Sequence, residues 1–384
     1  MCARGPLLTG AAAERALDVA QRILSDGPAL VELDVDFQPG SIDGFGQAAL
    51  LADALERAGR VPAFSVRDMV SRALVFVPNL LGLCEGAAGL LVVLDALDPQ
   101  QRSLLGARRR LSSALAAWLN DAPPFDFDNF SSYDLISGAA GRALALRDRE
   151  AEASAAFGRY AERFADALEA RITSSDRDVR AVNLGVAHGV PGMLAALNAA
   201  LPHERALARR FVELLLAMSH RVGGAHRWGG IWLPEELPPA KRTWCYGTVG
   251  VAGVLYDRAV LDGDDALRAL AVAALDGVLD QDRDDAPVFL PSLCHGRAGP
   301  ATVAWHLASE GWRFAERAAL LAAGILAEYD ERLPLGYRAY DTPHRSGERC
   351  THFLDGAFGI ALFLVDAVTA HERRWLPLLG LLPD

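Results

Sequence analysis

The stretch HGVPGMLAALNAA (188–200) joins a Gly-x-x-Gly turn to a short apolar run without a single charge. The same pairing appears as GAAG at Gly86–Gly89 and Gly138–Gly141, GTVG at Gly247–Gly250, GRAG at Gly296–Gly299 and GAFG at Gly356–Gly359. A degenerate copy, GFGQ at Gly44–Gln47, precedes them and lacks the second glycine. Leading glycines fall at 44, 86, 138, 189, 247, 296 and 356, with steps of 42, 52, 51, 58, 49 and 60 residues. Spacing of this size is the mark of a repeat architecture built from helix pairs. Five residues past the second glycine a leucine recurs as Leu94, Leu146, Leu197, Leu255 and Leu364, with Ala52 and Ala304 in the first and sixth copies.

Each turn is preceded by a longer amphipathic stretch, such as AAAERALDVAQRIL (11–24) or AEASAAFGRYAERFADALEARI (151–172). Apolar residues at helical spacing with Arg and Glu between them suit a solvent-facing outer helix. The runs after the glycines, such as GIALFLVDAV (359–368), are nearly uncharged and must be buried on most sides. Seven outer and seven inner helices describe an all-α fold, an α/α toroid, spread over residues 1–384 as a single domain. Strand signals are weak throughout. A flat solenoid of helix pairs is the alternative; closure is preferred because it lets distant repeats meet. Glycine has a steric use here, since an inner helix without a side chain at its start can approach its neighbours closely.

Composition narrows the function. The chain carries a net charge of -11, which argues against a general nucleic-acid binder, because such proteins need a basic face to displace counterions. Its 5 cysteines, Cys2, Cys84, Cys245, Cys294 and Cys350, are too few and odd in number for a disulfide framework. They fit a reducing, cytoplasmic compartment, where Cys and His together point to metal or catalysis. The start, MCARGPLLTG, has no apolar core of the kind a secretory signal needs. Residues 73–94 are apolar, but Pro78, Asn79, Glu85 and glycines interrupt them, so a buried helix approached by a loop is expected.

Aligned on the leading glycine, the two preceding positions read Ile42-Asp43, Cys84-Glu85, Ile136-Ser137, Ala187-His188, Cys245-Tyr246, Cys294-His295 and Leu354-Asp355. In a closed ring, equivalent positions lie at one level and converge. Cys245, Cys294 and His295 make a Cys2His set, an arrangement used for catalytic zinc with its fourth position open. The competing reading is two small buried cysteines and a core histidine. His188 shares the offset and suits general acid–base work near neutral pH; a satisfied core histidine is its rival. Cys84 reads as core, and Glu85, Asp43 and Asp355 as helix N-terminal carboxylates. His352 either lines the cavity or faces solvent. Four long connections, 121–137, 221–246, 281–295 and 330–355, carry Trp228, Trp232, Trp244, Tyr337 and Tyr340 and could form a peptide-binding rim or plain solvent loops.

RTWCYGTVG (242–250), PSLCHGRAG (291–299), NLGVAHGVPG (183–192) and YDLISGAAG (133–141) together resemble the lanthionine synthetase C-like cyclases, over nearly the whole chain. The resemblance implies a stand-alone lanthipeptide cyclase with one zinc on Cys245, Cys294 and His295. Such enzymes add a peptide cysteine thiol to a dehydroalanine or dehydrobutyrine of the same peptide. By the match His188 is the acid–base residue, and Asp134 and Tyr246 occupy further motif positions. A basic residue before the first zinc cysteine is carried to Arg242, with Lys241 as the alternative. The implied partners are a dehydrated ribosomal precursor peptide, a dehydratase and an exporter, in the cytoplasm or at the periphery of a membrane complex. Alternatives are addition of small thiols such as glutathione to dehydrated residues, and a non-catalytic toroid adaptor. A prenyltransferase-like toroid ranks last, for want of a carboxylate ligand and an anionic-lipid pocket.

Overall fold

A computed structural model of the chain describes residues 5–31, 42–75, 80–147, 149–176, 181–233, 242–279, 290–338, 350–369 and 371–383. Cys2, Lys241, Tyr340 and parts of three of the long connections lie outside the described residues.

Helices alternate between two layers. The outer set is α1 (Gly10–Val31), α3 (Val66–Val75), α5 (Leu105–Asn120), α7 (Ala151–Thr173), α9 (Arg205–Ala217), α11 (Asp265–Leu279) and α13 (Trp312–Ala327). The inner set is α2 (Gln47–Arg57), α4 (Ala87–Leu97), α6 (Ala139–Leu146), α8 (Val190–Ala200), α10 (Thr248–Asp262), α12 (Ala298–His306) and α14 (Ala357–Thr369). Each inner helix packs on the next, and α14 returns to pack on α2, which closes the ring. The toroid expected from the repeat is therefore the observed fold. Among the described residues, strand is confined to two short ribbons: β1 (Val182–Asn183) pairs with β4 (Ile231–Trp232), and β2 (His220–Val222) with β3 (Ala225–Arg227).

The inner helices are buried along almost their whole length, α4 from Ala87 to Ala96 and α14 from Ala357 to Ala367. The recurring Leu94, Leu146, Leu197, Leu255 and Leu364 all lie in this core, where each adds roughly 1.5–3 kcal/mol of apolar burial. Outer helices bury one stripe, as α7 does with Ala153, Phe157, Tyr160, Phe164 and Leu168. The apolar stretch 73–94 divides between α3 and α4, and no helix among the described residues is long and apolar enough to cross a membrane.

The glycine pattern has a single steric cause. A Cβ on Gly89, Gly141, Gly192, Gly250, Gly299 or Gly359 would overlap the carbonyl oxygen of Leu83, Leu135, Val186, Trp244, Leu293 or Phe353. In every case that carbonyl stands six residues earlier in the same repeat. The same glycines also abut the preceding repeat: Gly141 meets Leu83, Gly192 meets Leu135, and Gly299 meets Trp244. The first copy has no second glycine, and there the chain passes through a π-type turn, Ile42–Gly46, kinked at Gly44. Gln47 folds its side chain back and donates from Nε2 to the Asp43 carbonyl at 2.6 Å.

The turns themselves are stitched together around the ring. Leu83 N donates to Ile136 O (2.6 Å), Leu135 N to Ala187 O (3.1 Å) and Cys294 N to Leu354 O (2.9 Å). The last and first repeats are joined differently. Asp43 accepts from Phe353 N at 2.8 Å through Oδ1 and faces His352 Nδ1 at 3.3 Å through Oδ2. The C-terminal segment packs against the inner helices, with Trp375, Leu376, Leu378, Leu379 and Leu381 all buried, and the Leu379 carbonyl accepts from Trp244 Nε1 at 2.9 Å.

Gly359→Ala must push the Phe353 carbonyl out of its seat, and we expect a loss of roughly 3 kcal/mol or more. On exposed α5, Gly106 meets nothing nearer than Arg110 Nη1 at 3.8 Å, and Gly106→Ala should stabilise by ~0.5–1 kcal/mol. Denaturant unfolding of both variants checks the contrast; equal behaviour would show that the seat is not the reason for the repeat.

Candidate metal centre and its surroundings

Cys245, Cys294 and His295 come from two successive repeats, yet their ligand atoms all lie within 4.8 Å of one another. No other group of three or more His, Cys, Asp or Glu among the described residues is gathered in this way. Two features place them. Cys294 and His295 sit in the turn before α12, and the Cys294 amide is tied to Leu354 O of the next repeat. Cys245 sits in a turn closed by a backbone bridge between Arg242 and Gly247. Gly247 has φ 102°, a conformation open to glycine and costly for any side chain. Within that turn Trp244 is anchored in the core, and Thr243 Oγ1 donates to the Tyr246 carbonyl at 3.0 Å while lying 3.6 Å from Cys245 Sγ.

The donor set suits a soft divalent metal such as zinc: two sulfurs, one imidazole and a fourth position left to solvent or substrate. His295 is held for that role through Nδ1, 2.9 Å from Asp355 Oδ1, the carboxylate support that orients a ligand histidine. Without a metal the three groups share protons. The Cys245 thiol is lowered to about 5, chiefly by the hydrogen bond from Cys294 and further by His295. Cys294 is pushed up by that same hydrogen bond and by burial. His295 rises to about 10, with Asp355 the leading cause and Cys245 next. Cys245 and His295 thus stabilise one another as a thiolate–imidazolium pair, with Cys294 kept protonated beside them.

His188 stands beside this group, under a separate carboxylate. Its Nδ1 lies 2.6 Å from Asp134 Oδ2. Asp134 is fully buried, and its Oδ1 accepts from the amides of Ser137 (2.7 Å) and Gly138 (2.8 Å). The imidazole is thus fixed in place with Nε2 left for chemistry. Phe130 covers one side of it at 4.6 Å between ring centroids, and Tyr246 lies at 6.2 Å. Burial raises the Tyr246 phenol above its ordinary range, so it stays protonated.

Several sequence expectations change. Asp43, in the first turn of the Ile42–Gly46 segment, and Asp355, just before α14, are more than helix N-terminal carboxylates, since they partner His352 and His295 across repeat boundaries. His352 is buried rather than facing solvent. Cys84 is buried, and its thiol is pushed up by burial first and then by Asp43, Glu85, Asp134 and Asp355, which keeps it protonated as a core residue would be. Of the aromatics expected on a peptide-binding rim, Trp228, Trp244 and Tyr337 are buried in the core and Trp232 is half-buried. Phe130 and Ile231 are instead the exposed apolar residues beside His188 and Tyr246, at 41% and 51% exposure. A phenylalanine in a loop and an isoleucine after Gly-Gly gave no periodic signal that would have found them.

Comparison with known proteins agrees with this fold. The sequence model of the family described as lanthionine synthetase C-like protein matches residues 64–379. No curated protein matches the chain by sequence. Among solved structures, nisin cyclase matches with a TM-score of 0.67 at 16% identity, covering 94% of this chain and 97% of its own. At that identity the likeness speaks for the α/α toroid. By the span of the family match, this chain belongs to the lanthionine synthetase C-like family.

Proposed function

We propose that the chain is a zinc-dependent lanthipeptide cyclase, closing lanthionine and methyllanthionine rings in a dehydrated ribosomal precursor peptide. The observation that carries the reading is the gathering of Cys245, Cys294 and His295 within 4.8 Å beside a histidine–aspartate pair. A structural zinc site would be closed by a fourth protein ligand; three ligands leave room for a substrate thiol. Zinc bound there would lower the pKa of an incoming cysteine so that it is present as thiolate at neutral pH.

The reaction balances without an outside reagent. The peptide thiol loses its proton and forms a C–S bond to the β-carbon of the dehydro residue. The C=C electron pair moves toward the α-carbon and the amide oxygen, giving an enolate. A proton delivered to the α-carbon completes the ring, with no net change in mass. His188, fixed by Asp134 through Nδ1, is placed to move these protons with Nε2. Tyr246 and Arg242 supply a donor and a positive charge for the developing enolate oxygen. Substrate must come from a dehydratase acting on Ser and Thr, and an exporter would take the product; both belong in the cytoplasm with a chain that works as one domain.

Incubation with a dehydrated precursor containing cysteine should remove free thiol without a change in mass. His188→Asn should slow this by ~10²–10⁴-fold while retaining metal. Thiol left intact in every precursor would contradict the proposal, and a gain in mass equal to added glutathione would make the chain a small-thiol transferase. Asp355→Ala removes the acceptor that holds His295 and should weaken zinc retention by ~10–100-fold in competition with a chelator; unchanged retention would show that Asp355 does not orient the ligand.

A further inference from the structure

We propose that the C-terminal segment 375–382 is the axial support of the metal centre, and that Trp244 is the positioning residue which transmits its hold to Cys245. The inference rests on the zinc-site reading above and deepens it. The segment runs through the middle of the ring, against the turns of the third and fourth repeats. A Cβ on Gly380 would stand 3.0 Å from Leu135 Cδ2, 3.1 Å from Ala195 Cβ and 3.4 Å from Val186 Cγ1. Leu381 lies against Gly253 of α10, and Leu382 N donates to Asp257 Oδ2 on the same helix at 2.8 Å. Trp375 Nε1 donates to Asp366 Oδ2 on α14 at 2.5 Å, and the turn Leu376–Leu379 packs on α4. A segment this short meets repeats on opposite sides of the ring only by lying near the axis that they share.

Trp244 carries that support to the metal ligands. Its side chain is fully buried, and Nε1 donates to Leu379 O at 2.9 Å. Its carbonyl is the seat of Gly250. Its Cβ would lie 2.8 Å from a Cβ placed on Gly299, which follows the turn of Cys294 and His295. The residue beside Cys245 is therefore held by its own helix start, by the next repeat and by the C-terminal segment. The first two holds recur around the ring, but the third does not. At the same offset the other full copies carry Leu83, Leu135, Val186, Leu293 and Phe353, none of which has a side-chain donor. Cys294 is tethered through its own amide to Leu354 O, and for Cys245 the segment adds a hold through the neighbouring indole. Metal ligands need such support, because a site works only when they are kept within about 0.5 Å of the productive geometry.

Competition for zinc between a chelator and the full chain tests this without reference to ring closure. Trp244→Phe keeps an aromatic ring and removes the donor to Leu379 O. Gly380→Ala strains the segment from its far side, because φ is 68° there and the nearest side chains belong to the third and fourth repeats. We expect each variant to weaken zinc retention about 10-fold and to shift the thiolate-to-metal charge-transfer band of the chain loaded with cobalt(II). The double variant should bind zinc no more weakly than Trp244→Phe alone. Leu115→Ala empties a buried position on outer helix α5 and is the control; it destabilises the fold yet should leave both readings at wild type. All are compared where circular dichroism shows wild-type helix content, and Gly380→Ala decides alone should Trp244→Phe fail to fold. Wild-type zinc retention and cobalt spectrum in a folded variant of the pair would overturn the inference. So would losses that multiply in the double variant, or an equal loss in Leu115→Ala. A wild-type chain that binds no zinc would instead overturn the zinc-site reading, and this inference with it.

Discussion

The seat of each second glycine on a carbonyl six residues earlier is the contact from which the rest of the molecule follows. It folds the turn back on the inner helix that it starts, so the two residues before the leading glycine are held at a fixed height. Hydrogen bonds from turn to turn then bring those heights into one ring. Chemistry accumulates there because that is where side chains from different repeats can meet. The cost is carried by glycine, which has no side chain to strain and admits the positive φ of Gly247.

Carboxylates organise the histidines on that ring in a regular way. Asp134 holds His188, Asp355 holds His295 and Asp43 holds His352, each pair crossing a repeat boundary. Each fixes one ring nitrogen and with it the attitude of the imidazole. Asp43 has the additional task of tying the last turn to the first through Phe353, so ring closure and histidine placement share a residue. Burial and these carboxylates also separate the thiols into kinds. Cys84 is kept protonated, while Cys245 is drawn down by Cys294 and His295.

The architecture was readable because it is periodic. Seven turns and the alternation of charged and uncharged helices are one-dimensional signals, and so are the offsets shared by Cys245 with Cys294 and by His188 with His295. What stayed hidden depends on partners distant in the chain. Asp355 and Asp43 stand next to glycines at helix starts, which by sequence suggests capping; only closure of the ring shows their histidines. Trp228 and Trp244 lie in loops by sequence, yet their indole nitrogens donate to Leu215 O and Leu379 O in the core.

The central claim is that two thiols and one imidazole from neighbouring repeats form an open metal site. Mass-spectrometric metal analysis of the purified chain, beside Cys294→Ala, tests it most directly. The account predicts about one zinc per wild-type chain, lost in the variant while its helical circular dichroism is unchanged. Wild-type chain that stays free of zinc under metal-replete conditions would contradict it.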